Sequence, residues 1–264
     1  MPPLFEYLDS IESLLTLSPL GLMTDIDGTI SFTAPTPAEA QVTPVCRRSL
    51  ELLSGHLELV AVVSGRPVAQ MRKILDLDGV VYSGNHGFER WVEGEIELCN
   101  DAGRYSVLIE DTLQDLKPLS ENSGIYFENK GSTASIHYRL CRDHEAARKQ
   151  IFAALANSPS AGDLRITPGR VAVDLHPPIE VNKGSAVRDL IREYQLRAAF
   201  YLGDDVSDLD AFRAIKEAET PDFHGICIGV IDEETLPGVE AGADFTLYGV
   251  SETERFLEWL ATVV

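Results

Sequence analysis

The chain has 264 residues, with 22 Lys and Arg against 42 Asp and Glu, for a formal net charge of −20. Hydrophobic residues make up 44% and charged residues 24%, which excludes a disordered chain, and the length predicts one or two domains. The negative field repels phosphate backbones and anionic lipid, so neither nucleic acid nor membrane is an expected partner, and an anionic small molecule must be met by a local cluster of cations. The start, Met1-Pro2-Pro3-Leu4-Phe5-Glu6, has no basic stretch before an apolar one, and no apolar run approaches the roughly 20 residues of a membrane span. Cys46, Cys99, Cys141 and Cys227 are scattered, without a Cys-x-x-Cys pair. They read as reduced structural thiols of a cytoplasmic protein.

In chain order, residues 20–26 read as a buried strand followed by a Gly/Thr turn. Residues 57–63 form a second buried strand, ending at Ser64-Gly65-Arg66, with Pro67 at the first position of a helix that runs through Leu75. Residues 80–83 make a short third strand. The middle differs: residues 124–128 and 132–139 alternate apolar and polar, as half-exposed antiparallel strands do. Residues 144–156 form an amphipathic helix, and residues 166–170 and 171–176 a hairpin turning at Pro168-Gly169. Buried strands return at 198–202, 225–230 and 244–247, with helices at 183–194 and 208–218. Ser251 with Glu254 reads as a capping box opening the last helix. Continuous apolar strands separated by helices predict an α/β fold, a doubly wound parallel sheet covered on both faces. Its core domain comprises residues 1–100 and 179–264, and residues 101–178 form an inserted α+β cap domain.

The chemistry-bearing residues sit at the predicted strand ends, where open parallel sheets bind ligands. Asp25-Ile26-Asp27-Gly28-Thr29 places two carboxylates straight after the first strand. Ser64-Gly65-Arg66 offers a hydroxyl, backbone amides and a fork-shaped cation suited to phosphate. Asn182-Lys183-Gly184 opens a helix, where the dipole welcomes anions. Gly203-Asp204-Asp205-Val206-Ser207-Asp208 packs three carboxylates behind a buried strand, a costly arrangement that a hard cation such as Mg²⁺ would relieve.

This ordered set resembles the haloacid dehalogenase superfamily of phosphotransferases. Within it, Asp25 to Ile30, Val63 to Arg66, Asn85-His86-Gly87, Glu128 to Gly131, His137-Tyr138-Arg139, Asn182 to Gly184 and Gly203 to Phe212 resemble the trehalose-6-phosphate phosphatase family. One departure is Asp174-Leu175-His176-Pro177, where the family more usually shows Glu-x-Lys/Arg-Pro. The resemblance implies a Mg²⁺-dependent phosphatase in which Asp25 is the nucleophile and Asp27 the general acid and base. Asp25, the Asp27 carbonyl and Asp204 would hold the metal, with Asp205 and Asp208 orienting its waters. Thr29, Ser64 and Lys183 would bind phosphate, with Thr29 also fixing its loop. Arg66, Asn85, His86 and Gly87, with Glu128, Lys130, Arg139 and Asp174 of the cap, would bind the sugar. The expected partner is a small sugar phosphate, and the expected state a monomer.

Other readings place different demands on the sequence. A receiver domain would be about half as long and lack the paired acids before Gly28-Thr29. A non-catalytic sugar-phosphate sensor should have lost Asp25 or Asp27. Sucrose-phosphate and mannosyl-phosphoglycerate phosphatases share the core and a related cap, but the Glu128/Lys130 and His137-Tyr138-Arg139 patches favour trehalose.

Overall fold

The computed structural model of the chain describes residues 1–34, 39–99, 102–120, 124–169, 171–233 and 235–264. The chain divides into two compact units, residues 1–97 with 181–264, and residues 98–180. Five strands precede the insertion: β1 (Leu20–Thr24), β2 (Leu59–Val63), β3 (Val81–Gly84), β4 (Glu89–Val92) and β5 (Glu95–Leu98). The insertion carries β6 (Tyr126–Asn129), β7 (Ala134–His137), β8 (Arg165–Gly169) and β9 (Ala172–His176). The chain then returns through β10 (Ala198–Gly203), β11 (His224–Ile231) and β12 (Phe245–Tyr248).

The larger sheet runs β12-β11-β10-β1-β2-β3-β4-β5. Its pairs are parallel from β12 to β3, whereas β3 and β4 are antiparallel. The central strands are buried throughout, and their side chains split by parity between two cores. Leu22, Val60, Val62, Phe200 and Leu202 join one core with Cys46, Leu50, Met71, Phe256 and Leu257. Met23, Ala61, Val63, Ala199 and Tyr201 join the other with Val187, Leu190, Phe212 and Ile215. Helices Pro44–Ser54, Val68–Leu75 and Gly249–Val263 therefore cover one face, and Lys183–Glu193 with Asp208–Ala218 the other. Each fully buried Leu, Val or Phe contributes about 1.5–3 kcal/mol, so a charge at Val62 would remove that and strand itself in the sheet.

The insertion is a four-stranded antiparallel sheet ordered β6-β7-β9-β8. Its apolar parity (Ala134, Ile136, Val173 and Leu175) packs on helices Ser106–Asp115 and His144–Asn157 through Ile109, Ile151 and Leu155.

Two local expectations need correction. Pro168 and Gly169 are not the turn: they pair with Val173 and Ala172 inside the ladder. Proline is tolerated there because β8 is an edge strand. In this hairpin Val171 is left-handed, at φ 54°, and Arg170 lies outside the described residues. Ser251 does not cap the last helix, which opens two residues earlier at Gly249; the Tyr248 amide instead donates to Glu252 Oε2 at 2.7 Å. The β4–β5 hairpin was not expected. Its charged strands hide the alternation, but Glu93 and Gly94 adopt φ 49° and 95°, the pair of left-handed residues that a two-residue loop needs.

Candidate active site

Strand register gathers the site. Thr24 of β1 pairs with Val62 on one side and Leu202 on the other, so β1, β2 and β10 end at one level. Asp25, Ser64 and Asp204 thus leave the sheet along the same edge, and Ser83, paired with Val63, brings Asn85 to that edge as well.

Asp25 is 5% exposed. Its Oδ2 lies 3.0 Å from Lys183 Nζ, while its buried Oδ1 has no hydrogen-bond partner. Lys183 is the first residue of its helix, which Asn182 and Ser185 open with a reciprocal capping pair at 2.9 and 3.0 Å. Behind it, Gly184 lets that helix approach Asp210: a Cβ there would sit 2.4 Å from the Asp210 carbonyl oxygen. Lys183 consequently also reaches Asp208, donating to Oδ1 at 2.7 Å.

Asp204 lies against the first loop. Gly28 has φ +79°, and a Cβ on it would stand 2.0 Å from Asp204 Oδ2, so only glycine permits this approach. The Thr29 hydroxyl, fully buried, donates to Asp204 Oδ1 at 3.4 Å. Thr29 therefore steadies an acid of the cluster.

Ligand atoms of Asp25, Asp204 and Asp208 lie within 4.8 Å of one another, all buried. Burial pushes the Asp25 carboxyl up to about 7, opposed by Lys183 and reinforced by Asp208 and Asp27. Burial, with Asp25, Asp208 and Asp205, likewise raises Asp204 well above the ordinary range. Burial works against the Lys183 charge, but Asp208 and Asp25 outweigh it and hold the ammonium above its usual pKa. The crowded negative charge and the orphaned Asp25 oxygen fit a hard divalent cation such as Mg²⁺, bound through oxygen. Asp208 fits it less well. Its Oδ1 accepts from Lys183 and from the Tyr201 hydroxyl, each at 2.7 Å, and its Oδ2 accepts the Asp204 and Asp205 amides at 3.1 and 3.0 Å. A cation at this cluster would find its open oxygens on Asp25 and Asp204, whereas Asp208 and the Asp205 amide are engaged in building the loop.

Asp27, with its side chain 40% exposed, is gripped by Arg66, whose Nε and Nη2 donate to Oδ2 and Oδ1 at 2.6 and 2.8 Å. Arg66 was expected on the substrate; its guanidinium is engaged by the second aspartate and also donates to Gln70 Oε1 at 3.4 Å. Ser64 is buried at the end of β2, its Oγ accepting the Arg66 amide at 3.4 Å. Asn85, His86 and Gly87 have φ of 53°, 59° and 100°, a tight left-handed run. Asn85 is fully buried and donates to Glu89 Oε1 at 3.3 Å, which ties this loop to the following strand. Gly87 packs against the Asn182 carbonyl, 3.1 Å from where its Cβ would be. His86 remains half-buried. Sequence reasoning missed Glu89, whose Oε2 also accepts the Val68 amide at 2.8 Å and caps that helix from a neighbouring strand. A lone buried acid in a strand gave no local signal of this.

Within residues 98–180, direct pairing aligns Glu128, Ser135, Asp174 and Thr167 in one row across the sheet, on the face opposite the apolar core. Ser135 donates to Asp174. Glu128 Oε2 is 3.0 Å from His137 Nε2 and 3.8 Å from Lys130 Nζ, so the residues two apart do share a side. Arg139 lies beyond β7, outside this row; its carbonyl oxygen is 3.1 Å from His144 Nε2.

Such a parallel core, with paired acids after its first strand and an α+β insertion, is the fold of haloacid dehalogenase phosphatases, and a subclass IIB sugar phosphatase of that superfamily superposes with a TM-score of 0.59 at 14% identity, covering 92% of this chain and 99% of that one. The C-terminal domain of C. albicans trehalose-6-phosphate phosphatase superposes more closely, with a TM-score of 0.84 at 22% identity, covering 100% of this chain and 98% of that one. The model of the trehalose-phosphatase family matches residues 23–248. The chain belongs to that family. A Mycobacterium leprae trehalose-phosphate phosphatase is 32% identical over 250 residues, 90% of this chain and 56% of that protein. The chain thus spans about half the length, or less, of the curated relatives it matches.

Proposed function

We propose that this chain hydrolyses trehalose 6-phosphate to trehalose and inorganic phosphate through an aspartyl-phosphate on Asp25. The observation that carries this reading is the buried, unpartnered Asp25 Oδ1 beside the Lys183 ammonium and the Asp204 carboxylate. A carboxylate oxygen kept out of water and away from donors is a ready nucleophile.

Asp25 attacks phosphorus as the bond to the sugar oxygen breaks, and Asp27 delivers a proton to that oxygen. Asp27 then takes a proton from water, which attacks the same phosphorus and breaks the bond to Asp25, releasing phosphate and restoring both side chains. Proton transfers of this kind contribute about 10²–10⁴-fold. Lys183 and Ser64 hold the phosphate oxygens, with the ammonium fixed in advance so that no reorganisation is needed as charge develops. When bound through Asp25, Asp204 and the Asp27 carbonyl, Mg²⁺ would neutralise the repulsion between a carboxylate and a phosphate dianion. The polar face of the inserted unit, with Glu128, Lys130 and Asp174, supplies hydrogen bonds to sugar hydroxyls.

Asp174 is one methylene shorter than a glutamate and is held by Ser135, which favours a role in setting the face rather than reaching far from it. The four cysteines are free, which supports a reducing compartment such as the cytoplasm. Among the described residues no helix is long and apolar enough to cross a membrane.

Phosphate release from a panel of sugar phosphates with Mg²⁺ tests the proposal. Trehalose 6-phosphate should exceed sucrose phosphate and mannosyl phosphoglycerate in kcat/KM by at least about tenfold, and a chelator should stop release until Mg²⁺ is restored. A preference for another sugar phosphate would reassign the substrate, and full activity in chelator would overturn the mechanism.

A further inference from the structure

Tyr201 has no part in the chemistry above, yet its hydroxyl is buried in the site. It lies on β10, is 0% exposed, and meets Phe212 edge-on at 5.9 Å. A strand position in the second core needs only the ring, and its neighbours of the same parity, Ala199 and Met23, are apolar. The hydroxyl instead donates to Asp208 Oδ1 at 2.7 Å, on the same oxygen that receives Lys183.

The donor count around Asp208 explains why this matters. An ionised carboxylate offers about four lone-pair sites. In this fully buried group they are filled by Lys183, Tyr201 and the amides of Asp204 and Asp205. With both oxygens saturated, the carboxylate cannot rotate without breaking a hydrogen bond. It fixes one proton of the Lys183 ammonium, Asp25 faces a second at 3.0 Å, and the third is left for an incoming oxyanion. Removing the hydroxyl leaves Oδ1 held by Lys183 alone, so that oxygen is fixed less firmly and Lys183 can shift towards Asp25.

We infer that Tyr201 is a positioning residue for phosphate binding, acting through Asp208 to aim the Lys183 ammonium. The inference rests on the phosphatase reading of the site. Tyr201→Phe keeps the ring and its packing, and circular dichroism checks that the variant is folded.

The test measures the affinity of the full chain for inorganic phosphate in Mg²⁺, both as inhibition of p-nitrophenyl phosphate hydrolysis and as a phosphate-dependent rise in melting temperature. Mg²⁺ affinity is read from the melting temperature without phosphate. Y201F should weaken phosphate binding at least about tenfold, the lower end of what one hydrogen bond to a charged group is worth, with Mg²⁺ affinity within about twofold of wild type. In a Lys183→Met background the same substitution should weaken phosphate binding no further, because its effect runs through the ammonium. Unchanged phosphate affinity in Y201F, a parallel loss of Mg²⁺ affinity, or an equal loss in the Lys183→Met background would each overturn the inference. A wild-type chain indifferent to phosphate in Mg²⁺ would overturn the phosphatase reading beneath it.

Discussion

Arg66 holds Asp27 by both carboxylate oxygens, in a fork with donor–acceptor distances of 2.6 and 2.8 Å, although Asp27 itself is 40% exposed. The geometry fixes the plane of the Asp27 carboxylate, which a single hydrogen bond would not. Arg66→Ala should lower kcat on sugar phosphates by about 10–100-fold, and Arg66→Lys, a point charge without the fork, should recover only part of it. Steady-state kinetics checks this. Loss confined to KM would instead place Arg66 on the substrate.

Gly28→Ala puts a methyl group where Asp204 Oδ2 already lies, 2.0 Å away, and forces a non-glycine residue to φ +79°. The strain alone costs about 1–2 kcal/mol. The Asp204 carboxylate must also move, so the Mg²⁺ concentration for half-maximal activity should rise at least about tenfold. A metal titration within threefold of wild type would show that Asp204 does not need this contact.

Glu128 and Lys130 are nearly buried neighbours on the polar face of the inserted sheet. Buried hydrogen bonds left unpaired cost about 1–3 kcal/mol each. Glu128→Ala and Lys130→Ala should therefore each lower kcat/KM on trehalose 6-phosphate by about 10–100-fold. Hydrolysis of p-nitrophenyl phosphate, which has no distal sugar, should change less than about threefold. Equal losses on both substrates would mean that this face only supports folding.

The same unit carries a pH-sensitive group. Burial pushes the His176 imidazole down to about 4, with Arg165 and Lys130 adding to the effect and Asp174 opposing it. The folded chain keeps His176 neutral while the unfolded chain protonates it near pH 6.5, so the unfolded state binds more protons between about pH 6.5 and 4. Stability is therefore lost as pH falls through that window. Thermal unfolding of His176→Gln should show a shallower loss than wild type from pH 6.5 to 4.5, and parallel curves would contradict the assignment.

Much of the core was legible because its signals are local. β1, β2 and β10 are unbroken apolar runs, and the acids, Ser64 and Lys183 follow strand ends or open a helix where the chain punctuates itself. What stayed hidden depends on partners distant in sequence. Arg66 was legible as a cation near phosphate, but its pairing with Asp27, 39 residues away, is set by how β1 and β2 align. Asn85 read as a polar residue in the cleft, whereas Glu89 on the following strand claims its amide. Tyr201 lies in a buried strand, where nothing in the sequence reveals where a hydroxyl ends. The β4–β5 hairpin escaped because its strands are rich in charge, and only the Glu93-Gly94 loop marked it.

Inorganic phosphate release from trehalose 6-phosphate by the wild-type chain and by Asp25→Asn in Mg²⁺ tests whether Asp25 attacks phosphorus. The amide fills the same volume and leaves the fold intact, but it can neither form the phospho-enzyme nor ligate the metal as a carboxylate. Release should fall at least about 10³-fold with an unchanged circular dichroism spectrum. Release within tenfold of wild type from the folded variant would contradict the assignment of Asp25.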